Sequence, residues 1–233
     1  MTAFQYHPDI LSQFPIVVGG FLVAHNMVNG PSPDNLKQIY FQEQQSVLAR
    51  IGEKPLSEIE TLAAWRSAFR SFGVNPTRYR SAVEALLRRL TKKGDIPSIN
   101  TVVDICNLVS IRYGLPVAAF DSRELTGPIT VQIADGSENF TPLFQDVSEN
   151  PEPGEVIFAD DAKLVVARRW CWRQSDESAT QPHTTDAVFT IESQHPTGLM
   201  DVKAALSDLH TLLVEFVGGD YIDGLLGVDE PKI

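Results

Sequence analysis

Cysteine is scarce in this sequence: Cys106 and Cys171 are the only two among 233 residues, and no CxxC spacing occurs. Neither a disulfide framework nor a thiolate zinc site is therefore indicated. No apolar run is long enough to cross a bilayer, and the first ten residues lack the basic flank and apolar stretch of a signal peptide. These absences predict a cytoplasmic protein without a membrane segment.

The local signatures of common catalytic sites are also missing. The sequence contains no Walker A loop, no GxGxxG motif after a strand pattern and no GxSxG nucleophile elbow. Its five histidines show neither HExxH nor another paired spacing typical of metal ligands. We therefore expect no metal and no cofactor, and a Ser-His-Asp triad would have to assemble from residues far apart in the chain.

Positive charge is concentrated in one stretch of an acidic chain. The net charge is −11, which by itself argues against a nucleic-acid partner. Residues 66–93, however, contain eight Lys and Arg against the single acid Glu84, a net charge of +7. Such a local stripe fits contact with a small polyanion, and does not fit wrapping of DNA. The alternative is a solvated helix face. The candidate contacts to a polyanion are Arg88, Arg89, Lys92 and Lys93.

The order of helix and strand patterns predicts one α+β domain over residues 1–233. Two S-x-x-E capping boxes, Ser57 with Glu60 and Ser81 with Glu84, predict the starts of two helices. Residues 1–60 are interpreted as a helical N-terminal extension packed on the domain. The other predicted elements are a buried strand over 14–24, helices over 98–113 and 202–217, and strands over 128–134, 155–159, 163–174 and 186–193.

The segment from residue 96 to 125 reads IPSINTVVDICNLVSIRYGLPVAAFDSREL and contains many motif positions within a short stretch. Its marked positions are Pro97, Ile99-Asn100, Val102-Val103-Asp104, Asn107, Gly114, Pro116 and Phe120-Asp121. This pattern resembles the editing domain, the B-three/B-four module, of the bacterial phenylalanyl-tRNA synthetase beta subunit. The resemblance covers about residues 96–195. The Arg-Trp run RRWCWRQ at residues 168–174, taken together with the upstream run FRSFGVNPTRYRSAVEALLRR, resembles the stand-alone proteins of the same superfamily.

The resemblance implies a three-layer α+β fold and a function related to tRNA, with Arg88, Arg89, Lys92 and Lys93 as the candidate tRNA contacts. The synthetase domain hydrolyses tyrosine wrongly attached to the phenylalanine tRNA, and its pocket uses a Thr-Asn pair, a histidine, a glycine-rich strand and a glutamate. Carried over, the asparagine is Asn107 and the glutamate is Glu192. The threonine position is Cys106, the histidine position is Ala118, and residues 168–174, RRWCWRQ, replace the glycine-rich strand.

The Arg-Trp stretch is the second candidate for substrate binding. If 163–174 is one strand, its alternation places several large side chains on one face, and Arg173 could still reach a pocket from the strand end. Such a face could stack an adenine or an aminoacyl side chain and bind a phosphate or carboxylate. The alternative is that the tryptophans fill the core and the arginines pair with acids. The residues on this face would be Arg168, Trp170, Trp172 and Gln174.

The remaining candidates each have a functional and a structural interpretation. Arg78 and Arg80 could hold a tRNA end or a substrate carboxylate, or serve as capping and salt-bridge residues. Cys106 lies in an apolar helix without an activating partner, so an inert buried thiol is the favoured interpretation. Asn107 could bind the substrate backbone or tie its helix to a loop. Glu192 is the best candidate for a functional carboxylate; if buried, it should have a raised pKa or a partner such as Arg168.

Three functions are compatible with these residues. The first is a trans-acting hydrolase of a mischarged aminoacyl-tRNA, in which Asn107 or Glu192 positions water and no protein nucleophile is needed. The second is a module that binds tRNA or an aminoacyl group and has lost the chemistry, which Ala118 at the histidine position favours. The third is hydrolysis of a small amino-acid ester or amide, which would leave the basic stripe without a role.

Overall fold

The computed structural model describes residues 3–227, which form a mixture of helices and sheets. Its helices are α1 (Pro8–Gln13), α2 (Asp34–Ile51), α3 (Glu60–Ser71), α4 (Ala82–Lys93), α5 (Thr101–Tyr113) and α6 (Gly198–Phe216). Its strands are β1 (Phe4–Tyr6), β2 (Val18–His25), β3 (Val117–Asp121), β4 (Ile129–Ile133), β5 (Val156–Ala159), β6 (Val165–Arg168), β7 (Arg173–Gln174), β8 (Ala187–Ser193) and β9 (Asp220–Leu226). The predicted α+β class is confirmed.

The strands form two separate sheets. The five-stranded sheet has the order β1-β4-β5-β6-β7, and the four-stranded sheet has the order β3-β8-β2-β9. β1 pairs with β4 in parallel, whereas the remaining pairs are antiparallel. β3 and β9 are therefore the two edges of the four-stranded sheet, and the free edge of β3 becomes part of the candidate site.

Strand alternation divides the apolar core into two parts. In β2 and β8, Leu22 and Phe189 face a layer formed by α2, α4, α5 and α6. On the opposite face of the same strands, Phe21 and Val188 pack with apolar side chains of the five-stranded sheet. Helices, four-stranded sheet and five-stranded sheet thus form three layers, because each apolar face needs a cover that removes it from water.

The two helices that flank the site begin at side-chain caps. Ser81 Oγ accepts a hydrogen bond from Glu84 N at 3.4 Å at the start of α4, and Asn100 Oδ1 accepts one from Val103 N at 3.0 Å at the start of α5. Each cap satisfies a backbone donor that has no partner within its helix. Both helices end at a glycine with a left-handed backbone. The helix start predicted at Ser81 is confirmed.

The capping box predicted at Ser57 is wrong. Leu56–Glu58 form a short 3₁₀ turn, and α3 begins only at Glu60, with Ile59 as its N-cap residue and no side-chain cap. Since Ser57 lies inside the 3₁₀ turn, its side chain does not have the position that an N-cap requires at the start of α3.

Residues 1–60 contribute more than a helical extension. They do contain α1 and α2, but they also supply β1 to one sheet and β2 to the other. β2 lies between β8 and β9, so it is an interior strand of the four-stranded sheet. No helix within residues 3–227 is long and apolar enough to cross a membrane.

Candidate active site and basic groove

A cavity of about 190 Å³ opens beside β3, between that strand, α5 and the segment that joins β6 to β7. A buried apolar cavity of about 150 Å³ can hold benzene, so this one has room for a single amino-acid side chain. Its walls are mainly apolar, with a few polar groups, as is usual for small-molecule sites. The predicted site residues that line it are Cys106, Asn107, Ala118, Trp170, Trp172, Arg173, Gln174 and Glu192.

Glu192 is a buried carboxylate in the wall of this cavity, with only 2% of its surface exposed. Tyr6 Oη donates to its Oε1 at 2.6 Å, and Trp170 Nε1 donates to Oε1 at 3.1 Å and Oε2 at 3.0 Å. Burial raises the pKa of Glu192 to about 7, although the hydrogen bonds from Tyr6 and Trp170 act in the opposite direction. A carboxyl group with such a pKa can take up and release a proton near neutral pH.

The expected partner of Glu192, Arg168, lies elsewhere, and its predicted place in the binding face is wrong. The Arg168 guanidinium is buried and donates to Glu155 Oε1 at 2.7 Å and to Glu149 Oε1 at 2.5 Å. It also lies over the ring of Phe140, 5.6 Å from the centroid. These contacts account for the guanidinium as a buried ion-pair partner, and it does not line the cavity.

The strand predicted over 163–174 is interrupted, which explains this error. β6 ends at Arg168 and β7 begins at Arg173, and the chain turns through Arg169 and Trp170, whose φ angles are 46° and 61°. Two successive residues with left-handed backbone are unfavourable unless their surroundings hold them. Here Trp170 N donates to Val156 O at 2.6 Å. The alternation assumed for a continuous strand is therefore lost.

The two tryptophans have different roles. Trp170 is fully buried in the layer between the sheets, with its ring centroid 4.8 Å from that of Phe14 and 5.3 Å from that of Trp65. It is thus a core residue that also donates to Glu192. Trp172 is only partly buried and stands at the mouth of the cavity.

A stack of arginines and aromatic rings lies around Trp172, beside the cavity. The Arg169 guanidinium carbon lies 4.0 Å from the centroid of Tyr79 and 4.6 Å from that of Trp172. Arg173 lies over Trp172 at 4.6 Å, and Arg78 over Tyr79 at 5.0 Å. Such cation–π contacts orient the guanidinium groups while Arg78 and Arg173 stay exposed to solvent.

The polar side chain of Gln174 braces the edge strand of the cavity. Its Nε2 donates to Ala119 O at 2.8 Å and to Ser178 O at 2.7 Å. Because β3 is an edge strand, only one of its two sides is paired within the sheet, and Gln174 binds a carbonyl of this strand. Gln174 therefore satisfies a backbone acceptor and ties β3 to the segment after β7, which fixes one side of the cavity.

Both cysteines line the cavity, and both are protonated thiols at neutral pH. Burial raises the pKa of Cys106 and of Cys171 well above the ordinary value, with Asp104 adding to the effect for Cys106 and Glu192 for Cys171. A thiol nucleophile needs a lowered pKa, so these environments oppose thiol catalysis. The favoured interpretation of Cys106 as an inert thiol agrees with its surroundings.

The predicted basic stripe forms a groove next to the cavity. Trp172 and Arg173 belong to the walls of both the cavity and the groove. Among the groove residues, Arg80 lies 3.7 Å from Glu84, and Arg89 lies 3.8 Å from Asp95. Arg78 and Arg80, which were predicted as substrate-binding residues, line the groove and not the cavity. The cations of this basic groove are Arg78, Arg80, Arg88, Arg89, Lys92, Lys93 and Arg173.

Among the described residues, a serine, a histidine and an aspartate also form a series of hydrogen bonds outside the cavity. Ser193 Oγ lies 2.6 Å from His195 Nδ1, and His195 Nε2 lies 2.7 Å from Asp201 Oδ2. Ser193 is fully buried, with no exposed surface for a substrate to reach. These contacts connect the end of β8 to the first turn of α6, so we interpret them as structural and not as a catalytic triad.

Several residues of the site were not predicted from the sequence, among them Tyr6, Arg169 and Cys171. Tyr6 is 186 positions from its partner Glu192, and no local pattern connects them. Arg169 stands in the same RRWCWRQ run as the predicted residues, but the assumed strand alternation assigned it to the opposite face. Within residues 3–227, no group of three His, Cys, Asp or Glu side chains has an arrangement that could hold a metal ion.

Comparison with known families identifies the module that carries this cavity. Residues 64–212 match the model of the B3/4 domain, which is more than half of the chain. The chain belongs to the B3/4 domain family. The match spans α4, α5 and the strands β3 to β8, and thus every residue that lines the cavity.

The protein is similar to phenylalanine–tRNA ligase beta subunits. It is 35% identical over 140 residues to that of Shewanella oneidensis, covering 59% of this chain and 17% of the subunit. It is 45% identical over 106 residues to that of the onion yellows phytoplasma, covering 44% of this chain and 12% of the subunit. The chain thus spans less than a fifth of the length of these relatives.

A solved structure is also similar, at low sequence identity. An N-terminal fragment of the phenylalanyl-tRNA synthetase beta subunit from Pyrococcus horikoshii superposes with a TM-score of 0.48 and 14% identity, covering 94% of this chain and 50% of that one.

Proposed function

We propose that this B3/4 domain protein is a free-standing, trans-acting hydrolase that removes a wrongly attached amino acid from a tRNA. The observation that carries the proposal is the wall shared by the cavity and the basic groove. Trp172 and Arg173 separate a cavity for one side chain from a groove of seven cations. An aminoacyl-tRNA joins the same two parts, a small acyl group and a polyanion, through one ester bond. The relatives of this protein by sequence are beta subunits of phenylalanine–tRNA ligase.

The chemistry proposed for the cavity uses water as the nucleophile. Glu192, as the carboxylate, accepts a proton from a water molecule, whose oxygen attacks the ester carbonyl carbon. The tetrahedral intermediate then expels the ribose oxygen, which takes up a proton, so the products are the free amino acid and the uncharged tRNA. Asn107 orients the aminoacyl group through its amide. General-base catalysis of this kind contributes about 100- to 10,000-fold, and the ester is already activated.

The second candidate is a module that binds an aminoacyl group or tRNA without turnover. It is favoured by the lining of the cavity, where Ala118 stands at the position that the resemblance assigns to a histidine and both thiols are protonated. In this case the basic groove would still bind tRNA, and Glu192 would serve only to recognise a donor group of the ligand.

A deacylation screen distinguishes the two candidates. The purified protein is incubated with a panel of correctly and wrongly charged tRNAs, and loss of the ester is followed over time. We expect hydrolysis of a mischarged tRNA, with the rate reduced about 100-fold or more by Glu192→Gln and also reduced by Asn107→Ala. The matched control is Glu215→Gln on the exposed side of α6, which should keep the full rate.

A flat panel would overturn the proposed hydrolysis, provided that the protein is folded and still binds tRNA. That result would favour the binding module. If Glu192→Gln hydrolyses the tRNA ester at the original rate, the proposed activity stands but Glu192 is not its general base.

A further inference from the structure

We infer that Tyr6, contributed by the N-terminal strand β1, is a positioning residue that orients the Glu192 carboxylate and keeps it available to accept a proton. The inference rests on the proposed function, because it concerns the same carboxylate. Tyr6 lies outside the residues matched by the B3/4 family model, which begin at residue 64. It is also absent from the lining of the cavity, so it acts through Glu192 and not on the substrate.

The geometry fixes Tyr6 independently of Glu192. Tyr6 is 3% exposed and lies at the end of β1, paired in register with Val131 of β4. Its ring packs edge-on against Phe4, with 5.6 Å between centroids, and the next backbone amide, His7 N, donates to Val131 O at 2.9 Å. The phenol is therefore held by strand pairing and ring packing, and its hydroxyl reaches Glu192 Oε1 at 2.6 Å.

A glycine in the neighbouring strand makes room for this hydroxyl. Gly19 of β2 is the register partner of Glu192 in β8. A Cβ added to Gly19 would lie 2.5 Å from Tyr6 Oη, which is closer than real Cβ contacts. The next residue, Gly20, points to the opposite face of the sheet, where an added Cβ would meet Val202 Cγ1 at 2.9 Å. Alanine at position 19 would therefore disturb the Tyr6 contact, whereas alanine at position 20 would crowd the other face of β2 without touching Tyr6.

The charges around Glu192 show what the Tyr6 hydroxyl changes. Burial and the nearby carboxylate raise the pKa of Tyr6 well above its usual value, so the hydroxyl stays protonated and donates. The hydrogen bond from Tyr6 lowers the pKa of Glu192 against the larger effect of burial. The other titratable or charged groups in the cavity wall are Cys106 and Cys171, whose thiols stay protonated, and Arg173 at the mouth. Without the Tyr6 hydroxyl, we therefore expect the carboxyl to keep its proton to higher pH.

The test measures the carboxyl group directly. The titration of Glu192 is followed by NMR in protein with ¹³C-labelled glutamate side chains, and Glu192→Gln assigns its resonance. Tyr6→Phe removes the hydroxyl and keeps the ring. We expect the titration midpoint of Glu192 to move upward by about one to two pH units, the size that one lost hydrogen bond to a charged group gives. Gly19→Ala should shift it in the same direction, and Gly20→Ala should leave it unchanged.

The pH profile of deacylation is the second measurement. In Tyr6→Phe, the acidic limb of the profile should move upward with the midpoint of Glu192, while the plateau rate at higher pH stays within a few-fold of the original. An unchanged Glu192 midpoint in Tyr6→Phe would overturn the inference, as would a loss of rate that is equal at every pH. A shifted midpoint together with a flat deacylation panel would keep the link between Tyr6 and Glu192 and overturn the proposed hydrolysis.

Discussion

At the scale of single residues, Glu192 shows how burial and hydrogen bonding oppose each other. A carboxylate in an apolar cavity loses the solvation that stabilises its charge, and two neutral donors, Tyr6 and Trp170, replace only part of it. The net result is a pKa of about 7. The ionised form is thus less favourable in the folded protein than in the unfolded chain, where this group has its ordinary value of 4.5.

This difference predicts how Glu192 affects stability as pH changes. Between pH 4 and pH 8 the folded protein holds the Glu192 proton more tightly than the unfolded chain, so the stability contributed by this group falls as pH rises. The shift from 4.5 to about 7 corresponds to about 3 to 4 kcal/mol at roughly 1.4 kcal/mol per pH unit. Urea unfolding at several pH values should show the free energy of unfolding of the original protein falling by that amount relative to Glu192→Gln. A difference that is constant with pH would contradict the raised pKa.

At the scale of elements, α4 and the turn after β6 act together. α4 presents cations along the basic groove, and the turn presents Trp172 and Arg173, which belong to both groove and cavity. The two elements are connected directly, because Ala82 N at the start of α4 donates to Cys171 O at 2.7 Å. A backbone contact therefore helps to fix the position of the groove relative to the cavity, together with the side-chain contacts among Tyr79, Arg169 and Trp172.

The predicted tRNA contacts on α4 can be tested through their salt dependence. Replacing Arg88, Arg89, Lys92 and Lys93 with alanine should weaken tRNA binding and reduce the slope of log affinity against log salt by about 3, if each cation neutralises one phosphate. Binding is measured by fluorescence anisotropy at several salt concentrations.

A matched pair of double variants provides the control for this prediction. Lys92→Ala with Lys93→Ala removes two cations of the basic groove, and Lys37→Ala with Lys203→Ala removes two exposed lysines on other helices. The first pair should reduce affinity and slope, and the second should leave the slope almost unchanged. Equal effects of the two pairs would mean that only net charge matters and that α4 has no specific role.

At the scale of the whole molecule, the N-terminal 60 residues hold the two sheets together. β2 is an interior strand whose faces belong to both parts of the core, and β1 extends the five-stranded sheet. The family match begins only at residue 64, so it leaves out both strands. A B3/4 segment cut at the limits of that match would expose the edge of β8 and one side of each apolar layer.

We therefore expect a chain that begins at residue 61 to lack a cooperative fold. Without β2, β9 has no partner in the four-stranded sheet, and fewer apolar residues cover Phe189 and Val188. The measurement is circular dichroism during thermal unfolding together with the dispersion of amide resonances, with the full chain as reference. A sharp unfolding transition and dispersed resonances in the shortened chain would show that the N-terminal strands are dispensable.

Local sequence signals determined much of this architecture. α5 and the strands β4, β5 and β8 lie where apolar periodicity and glycine punctuation predict them, because such patterns reflect which face of an element is buried. α2 carries the same kind of signal, since Leu36, Tyr40, Val47 and Ile51 follow helical spacing, but Gln44 interrupts the apolar stripe. The amide of Gln44 is satisfied by the backbone of Ile96 at 2.8 and 3.1 Å, a contact that no local pattern reveals.

The family resemblance and the Arg-Trp stretch located eight of the nineteen residues that line the cavity, and the tertiary structure decided how they act. The resemblance implied Asn107 and Glu192, and the sequence by itself indicated the basic stripe, because a local excess of charge can be counted in consecutive residues. Only the fold showed that Arg168 is buried in ion pairs and that Tyr6 reaches Glu192. The physical reason is that such partners are chosen by strand pairing and burial across the whole chain, and these depend on contacts between distant residues.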